Sequence, residues 1–324
     1  MKSGWTCIEL CAGAGGQALG LEQAGFEHGV LVDIDPHCVA TLRYNRPQWH
    51  VVEADLNDLD GTESFLGAPD LVAAGLPCPP FSVAGKQLGP DDERDLFPAG
   101  LRIVERLRPR AVMIENVRGF LDPSFESYRA SIRARLGELG YRVDWKLLNA
   151  SDFGVPQLRP RVVIVALRDD AWEHFSWPKP SAKAAPTVGE TLVDLMAEGG
   201  WEGARAWSQR ANRIAPTIVG GSRKHGGPDL GPTRAKRAWA EMGVNGLLLG
   251  NEPPAPGFDG DPMLTVRMVA RLQGFPDNWT FTGRKTHAYR QVGNAFPPPV
   301  ARAVASRIKA ALEAASVEQG QVAV

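Results

Sequence analysis

Short apolar runs, separated by stretches with helical spacing, organise the first half of the chain. TCIEL (6–10), HGVLVD (28–33), HVVEAD (50–55), PDLVAAG (69–75) and RAVMIEN (110–116) each read as a strand. RVVIVAL (161–167) is a near-continuous apolar run, the pattern of a strand covered on both faces. Between the first two runs lies an amphipathic helix through Leu19, Leu21 and Ala24. Asp35-Pro36 reads as a helix start, a capping carboxylate ahead of a proline at the first helical position. Strands alternating with helices predict an α/β fold with a doubly wound, mostly parallel sheet. Ligands of such sheets bind beyond the carboxyl ends of the strands.

The pattern changes after about Trp177. From there to roughly Thr265 the chain is rich in Gly and Pro and its periodicity is weak, as in IVGGSRKHGGPDLGP and NEPPAPGFDGDP. This predicts a second, smaller, irregular domain over 181–282, beside a first domain built from 1–180 and 283–324. One helix is expected inside it, around Thr233–Met242. A last amphipathic helix follows Pro299, with Val300, Val304, Ile308 and Leu312 on one face. That face needs a partner, so the C-terminus is expected to return to the first domain. Beyond Ala315 the chain reads as a fraying tail.

Composition narrows the class. Of the 324 residues, 44% are hydrophobic and 23% charged, ordinary values that argue against whole-chain disorder. No apolar run approaches the roughly 20 residues that cross a bilayer. The opening MKSGWTCIEL lacks the long apolar segment of a signal peptide. The four cysteines (Cys7, Cys11, Cys38, Cys78) show no CxxC spacing, so neither a metal site nor a disulfide framework is expected. A cytoplasmic protein with reduced thiols fits these features. The net charge of −1 is uninformative by itself, but basic residues concentrate between Arg205 and Arg237, eight of them against one acid, Asp229. A solvated surface and a nucleic-acid footprint both account for such a stretch.

Unusual residues collect at the predicted strand ends. In ELCAGAGG, glycines 13, 15 and 16 follow a strand and open a helix, which lets a ligand approach the backbone closely. No GK[ST] follows, so this is not a P-loop. Asp33 ends the second strand, placed to accept hydrogen bonds from ribose hydroxyls, whereas Asp35 is explained as the helix cap. On these features an NAD-dependent dehydrogenase and a methyltransferase stand level. GLPCPPFS (75–82) breaks the tie: prolines at 77, 79 and 80 stiffen a loop that presents one thiol, Cys78, over the ligand crevice. Glu115, in ENV at the end of another strand, is positioned for partial desolvation, which favours a carboxyl that holds its proton. QLRPR (157–161) carries Arg159 and Arg161 at alternate positions of an extended segment, pointing the same way, to clamp an anion or a carbonyl.

The ordered set CAGAGG, PCPPFS, ENV, QLRPR, RLQGFPDNW and QVGNAFPPP, spanning residues 7 to about 305, resembles the DNA (cytosine-5) methyltransferases. The resemblance implies a Rossmann-like methyltransferase fold that uses S-adenosyl-L-methionine. Cys78 would be the nucleophile, Glu115 would engage N3 and the exocyclic amine of cytosine, and Arg161 would face the base's carbonyl with Arg159 in support. The cofactor would lie against Cys11, Ala12, Gly13, Gly15, Gly16, Asp33, Ile34, Asp55, Leu56, Pro77, Leu96, Asn294 and Ala295. The stretch between QLRPR and RLQGFPDNW corresponds to the family's target-recognition region; within it Arg223, Lys224 and His225, together with Ser82 of the nucleophile loop, are candidates for DNA contact.

Two positions depart from the family pattern: Cys11 stands where Phe is usual, and Pro79 where Gln is usual. The implied partner is double-stranded DNA, bound by a monomer, within or descended from a restriction–modification system whose endonuclease acts separately. An RNA (tRNA) cytosine-5 methyltransferase is the nearest alternative, although that relative ordinarily carries Thr where Ser82 stands. A catalytically silent DNA-binding protein is the other.

Overall fold

The computed structural model describes residues 4–77, 95–220 and 228–322. Among them the chain forms two compact units, one of residues 1–148, 160–179 and 300–324, the other of 149–159 and 180–299.

The first unit is built on a seven-stranded sheet among the described residues. Its strands are β1 (Trp5–Leu10), β2 (Phe26–Asp33), β3 (Val51–Glu53), β4 (Leu71–Ala74), β5 (Ala111–Val117), β6 (Tyr141–Asn149) and β7 (Pro160–Arg168), in the order β3-β2-β1-β4-β5-β7-β6. The β1–β2, β1–β4, β2–β3 and β4–β5 pairs are parallel, and β7 runs antiparallel to β5. The mostly parallel, doubly wound sheet expected from the alternating pattern is therefore what forms. Its order reverses at β1, which pairs with β2 on one side and β4 on the other. That makes the carboxyl ends of β1 and β4 the crevice of the fold.

Burial explains the continuous apolar runs. Ile8, Leu10, Val72, Val112, Ile114, Val162 and Ile164 belong to one core cluster with residues of the flanking helices, including Phe97, Ile103, Ile132 and Leu136. Alternating with them, Cys7, Leu71, Met113, Val163 and Val165 are equally buried on the opposite face. The flanking helices are α1 (Gly16–Gln23), α2 (Pro36–Asn45), α3 (Phe97–Leu107), α4 (Glu126–Glu138) and the short α5 (Asp169–Trp172). Asp35 caps α2, accepting from His37 N at 2.9 Å with Pro36 in the first turn. Phe97 of α3 stacks on Phe120 at 5.8 Å between ring centroids.

Helices dominate the second unit: α6 (Val188–Ala197), α7 (Ala204–Arg210), α8 (Thr233–Glu241), α9 (Val266–Leu272) and α10 (Lys285–Asn294). α6 opens with a reciprocal cap between Thr187 and Glu190, and crosses α7 so closely that a Cβ at Gly189 would lie 2.0 Å from Ser208 O. A final helix, α11 (Pro298–Val322), belongs to the first unit from Val300 onward and buries Val300, Val304, Ile308, Leu312 and Ala315.

One expectation needs correction, and one strand gave no signal. The tail beyond Ala315 does not fray over the described residues. Arg110 donates to Ser316 Oγ at 2.8 Å, Gln319 donates to Asp170 at 2.8 Å, and His174 meets Glu318 at 3.3 Å, so side chains hold the last turns where apolar spacing gives out. β6 was not visible as a strand because it lies at the sheet edge, and only Tyr141 and Leu148 of its nine residues are buried.

At the base of β1, Cys7 Sγ lies 3.3 Å from His28 Nδ1, and His28 Nε2 lies 3.0 Å from Ala18 O. A carbonyl only accepts, so Nε2 carries the ring proton and the thiol donates to Nδ1. Burial lowers the His28 pKa from 6.5 to about 4. The unfolded chain therefore takes up a proton at His28 near pH 6.5 that the folded chain accepts only near pH 4, and stability falls as the pH drops between the two. About 2 kcal/mol of that loss is complete by pH 5. His28→Gln removes it. The difference in unfolding free energy between wild type and variant, from urea titrations, should shrink by about that amount between pH 7.5 and pH 5; a pH-independent difference contradicts the assignment.

Candidate functional site

The crevice of the first unit starts where β1 ends. Cys11 and Gly13 both take positive φ, 54° each, and Gly15 takes 88° as the residue ahead of α1. These left-handed steps fold the chain into a turn that Ala12 N ties back to Val32 O at 3.0 Å. A Cβ at Gly13 would meet no atom within 4 Å, so open space lies over the turn. Gly16 is buried as the first residue of α1.

Asp33 has a second task beyond the one read from sequence. Its Oδ2 accepts Gly13 N at 2.7 Å and its Oδ1 accepts Asp35 N at 2.8 Å, so one carboxylate locks the glycine turn and the start of α2 together. Burial raises its pKa, against the lowering effect of these backbone donors. The next residue, Ile34, is 59% exposed, an apolar surface beside the turn. Asp55 caps a single 3-10 turn through Asn57 N at 2.9 Å, and Leu56 behind it is buried. Beneath the turn lie two residues that the sequence reading passed over. Glu9 and Gln17 are buried, and among the described residues Glu9 Oε2 and both polar atoms of the Gln17 side chain have no hydrogen-bond partner. Burial, reinforced by Asp33, pushes the Glu9 carboxyl well above its usual range. The signal was present as a carboxylate inside the otherwise apolar strand TCIEL. Open space, an exposed apolar side chain, carboxylates at Asp33 and Asp55 and unsatisfied buried polar atoms together suit a ligand with a heterocycle, sugar hydroxyls and a charged tail. S-adenosylmethionine is such a ligand.

The adjacent strand ends carry the groups for chemistry. Glu115 and Arg161 form an ion pair, Arg161 Nε to Glu115 Oε1 at 2.8 Å, with side-chain exposures of 14% and 13%. Their register explains it: Val117 faces Arg161 and Glu115 faces Val163, so the two charged residues are diagonal neighbours of one antiparallel pair. Arg161 Nη1 also donates to Pro160 O at 2.9 Å, leaving Nη2 uncommitted among the described residues. Asn116, buried between them in sequence, turns the other way and donates to Leu76 O at 3.1 Å. Gly75 N donates to Leu10 O at 3.1 Å, and Leu96 N to Pro77 O at 3.4 Å. The chain is thus fixed immediately before position 78 and again at 95–97, where Asp95 accepts from Phe97 N and from Tyr128 Oη. Pro77 is exposed and Leu96 half-buried. Cys78 and Ser82 lie outside the described residues.

Arg159 does something different from Arg161. It is 1% exposed, and within the second unit its guanidinium donates to Ile218 O (2.6 Å), Gly293 O (2.7 Å) and Ala295 O (3.0 Å). The expectation that the two arginines work as one clamp gives way to a division, in which Arg159 holds backbone and Arg161 holds a carboxylate. Gln157 and Gln273 join the same network. Gln157 accepts from Ile218 N at 2.9 Å and donates to Gln273 Oε1, while Gln273 donates to Ala295 O at 2.8 Å. Sequence reasoning missed both glutamines, although each lies inside a motif it singled out, QLRPR and RLQGFPDNW. Ala295 is buried, and Asn294 is exposed beside Gly220, where a Cβ would come within 2.5 Å of its Oδ1.

The basic stretch is partly neutralised internally. Arg210 pairs with Asp261, Arg213 with Glu241 and Lys236 with Asp229. Arg205, Arg234 and Arg237 are exposed without an ion pair among the described residues. Arg223, Lys224 and His225 lie outside the described residues. No group of His, Cys, Asp or Glu among the described residues could hold a metal ion, and no described helix is long and apolar enough to cross a membrane.

Residues 5–310 match the family described as C-5 cytosine-specific DNA methylase. The chain is 58% identical over 311 residues to the Type II methyltransferase M.NaeI of Lentzea aerocolonigenes, covering 94% of this chain and 75% of the relative. It is 52% identical over 313 residues to the Type II methyltransferase M.NgoMIV of Neisseria gonorrhoeae, covering 95% and 98%. Among solved structures it superposes on an E. coli prophage protein described as a DNA modification methyltransferase, with a TM-score of 0.68, 23% identity and coverage of 95% and 99%. The S. pombe Dnmt2 methyltransferase gives a TM-score of 0.61 at 18% identity, covering 95% and 98%. At these identities the two structures speak for the fold alone.

Asp33→Asn should separate cofactor binding from folding. The amide nitrogen must face one of the two backbone N–H groups that Asp33 now satisfies, donor against donor. Losing a hydrogen bond to a charged group costs about 1.5–3 kcal/mol, so the Kd for S-adenosylmethionine should rise about 10- to 100-fold in calorimetry, with the circular dichroism spectrum unchanged. An unchanged Kd would remove Asp33 from the cofactor site.

Proposed function

Because the chain belongs to the C-5 cytosine-specific DNA methylases, we propose that it methylates carbon 5 of a cytosine flipped out of double-stranded DNA, through a covalent bond from Cys78 to C6 of the base. The class itself, a DNA cytosine-5 methyltransferase of the restriction–modification type using S-adenosyl-L-methionine, follows from the family. The proposal concerns how this chain's residues perform the reaction. The observation that carries it is the end of β5, where Glu115 is held by Arg161 while its neighbour Asn116 grips the chain two residues ahead of Cys78.

Carbon 5 of cytosine is a poor nucleophile. Addition of the Cys78 thiolate to C6 makes the C4–C5–C6 edge an enamine, which attacks readily. Glu115 is ionised in its pair with Arg161, so it takes up a proton as the base enters and then donates it toward N3, drawing charge from the ring as the C6–S bond forms. Arg161 Nη2 stabilises the charge on O2, and its Nε bond to Glu115 orients both groups. Bound S-adenosylmethionine supplies an electrophilic methyl group. Loss of the C5 proton, to a bound water in our reading, lets the C6–S bond break and returns the thiolate. Base extrusion costs a few kcal/mol, recovered from pocket and phosphate contacts. Target recognition falls to 181–282, with Arg205, Arg234 and Arg237 available to phosphates.

Bisulfite sequencing of DNA from cells expressing the chain should show cytosine methylation at one sequence context. Cys78→Ala should abolish turnover while S-adenosylmethionine binding persists, and Glu115→Gln should lower kcat by about 10²- to 10⁴-fold. Wild type should become covalently trapped on a duplex containing 5-fluorocytosine. Methylation by Cys78→Ala above background, or a crosslink mapped to another side chain, would refute the nucleophile.

A further inference from the structure

Of three consecutive leucines, Leu247–Leu249, only Leu249 is buried in the second unit. Leu247 is 65% exposed and Leu248 56%. Single exposed leucines are ordinary; an adjacent pair on a rigid support is not. This support is rigid. Asn245 N donates to Pro262 O, and Leu247 N to the Asn245 side chain at 3.1 Å. Gly246 O accepts from Leu230 N, Leu249 N donates to Pro228 O, and Gly250 N to Leu264 O, each at 3.0 Å. Lys285 Nζ closes the loop on Leu249 O at 2.7 Å. Burying a leucine side chain is favourable. A loop held at every turn cannot fold its tip inward to collect that gain, so the two side chains are kept in water.

What covers them is indicated by their surroundings. A Cβ at Gly246 would lie 3.6 Å from Lys236 Cα, so α8 runs directly beside the loop. Lys236 is neutralised by Asp229, but Arg234 and Arg237, one turn apart on the exposed side of α8, have no ion pair among the described residues. Val219, 39% exposed, lies at the start of α8: a Cβ at Gly231 would lie 3.1 Å from its Cγ2 and 3.5 Å from Ala235 Cβ. Apolar tips bordered by uncompensated guanidinium groups match a duplex, whose phosphates take the arginines and whose base edges and steps take apolar side chains. A second copy of the chain docking through the same patch would set like charges together, because a two-fold interface repeats its own residues.

We propose that the loop 245–249 is a DNA-contacting element, in which Leu247 and Leu248 touch the bases and contribute to the choice of methylated sequence, while Arg234 and Arg237 hold the backbone. This rests on the DNA methyltransferase reading and adds a surface to it. The test compares three full-length proteins on unmethylated plasmid DNA: wild type, Leu247→Ser/Leu248→Ser and Leu247→Met/Leu248→Met. Methyl incorporation is followed at 50 and 200 mM salt and the methylated contexts are mapped by bisulfite sequencing. The serine pair should methylate the preferred context at least tenfold more slowly and spread over related contexts, with an unchanged salt slope and unchanged S-adenosylmethionine affinity. The methionine pair should retain most of the wild-type rate and context. An unaltered rate and context set in the serine pair overturns the proposal, as does a wild-type dimer that the serine pair converts to a monomer, since the patch would then be a self-association face. Absence of cytosine methylation by wild type would instead refute the enzymatic reading, and the proposal with it.

Discussion

One strand running against the rest of its sheet makes the chemistry of the first unit possible. In a wholly parallel sheet, the beginning of every strand lies at the edge opposite the ligand crevice. β7 is antiparallel to β5, so its first residues arrive at the carboxyl edge, and Arg161 faces Val117. Only that reversal lets an arginine at the start of one strand meet Glu115 at the end of another. Strand alternation then divides the labour at the end of β5, sending Glu115 to one face and Asn116 to the other. A slip of one residue in β5 would exchange them, placing an amide on Arg161 and a carboxylate against the Leu76 carbonyl, where acceptor would meet acceptor.

Two residues upstream the same chain enters the second unit and changes function. Arg159, Gln157 and Gln273 are wholly buried, and their partners are mostly backbone carbonyls and N–H groups from 218, 272 and 292–295. Buried polar networks of this kind rigidify when satisfied and are costly when one member is lost, because the remaining groups cannot return to water. The network therefore fixes the segment bearing Asn294 and Ala295 against the segment leading to Gly220. The close approach of Gly220 to Gly293 and Asn294, where no Cβ fits, is the steric counterpart of the same constraint.

The parts of this arrangement legible in the sequence are those that depend on neighbours along the chain. The strands β1, β2, β4, β5 and β7 follow from apolar runs, the start of α2 from Asp35-Pro36, and α8 from spacing. What stayed hidden depends on hydrogen bonds to backbone atoms far away in sequence, which leave no periodic trace. Asn116 reads as a polar strand end until Leu76 O is seen beside it; Asp33 reads as a ribose acceptor, and nothing along the chain shows that its two oxygens also hold Gly13 N and Asp35 N. Leu247 and Leu248 show the converse. Three consecutive leucines form an apolar run, yet two of them face water on a segment held by hydrogen bonds to distant backbone.

The cysteines show why proximity to a base does not by itself make a nucleophile. Cys7 beside His28 has the contact expected of a thiol and its general base, but burial, the largest influence on both, acts against ionisation. Burial first, then the carboxyls of Glu9 and Asp70, push the Cys7 thiol well up, while burial holds His28 neutral. Proton transfer would create two charges where the surroundings penalise each. Cys11 is raised as well, by burial and by Asp33, Asp55 and Glu9. Cys38 is buried on α2. A sulfur that must become an anion and bond to a base needs access for the substrate and a stabilised charge; burial closes Cys7 and Cys38 to a substrate, and the Cys11 thiol is pushed up.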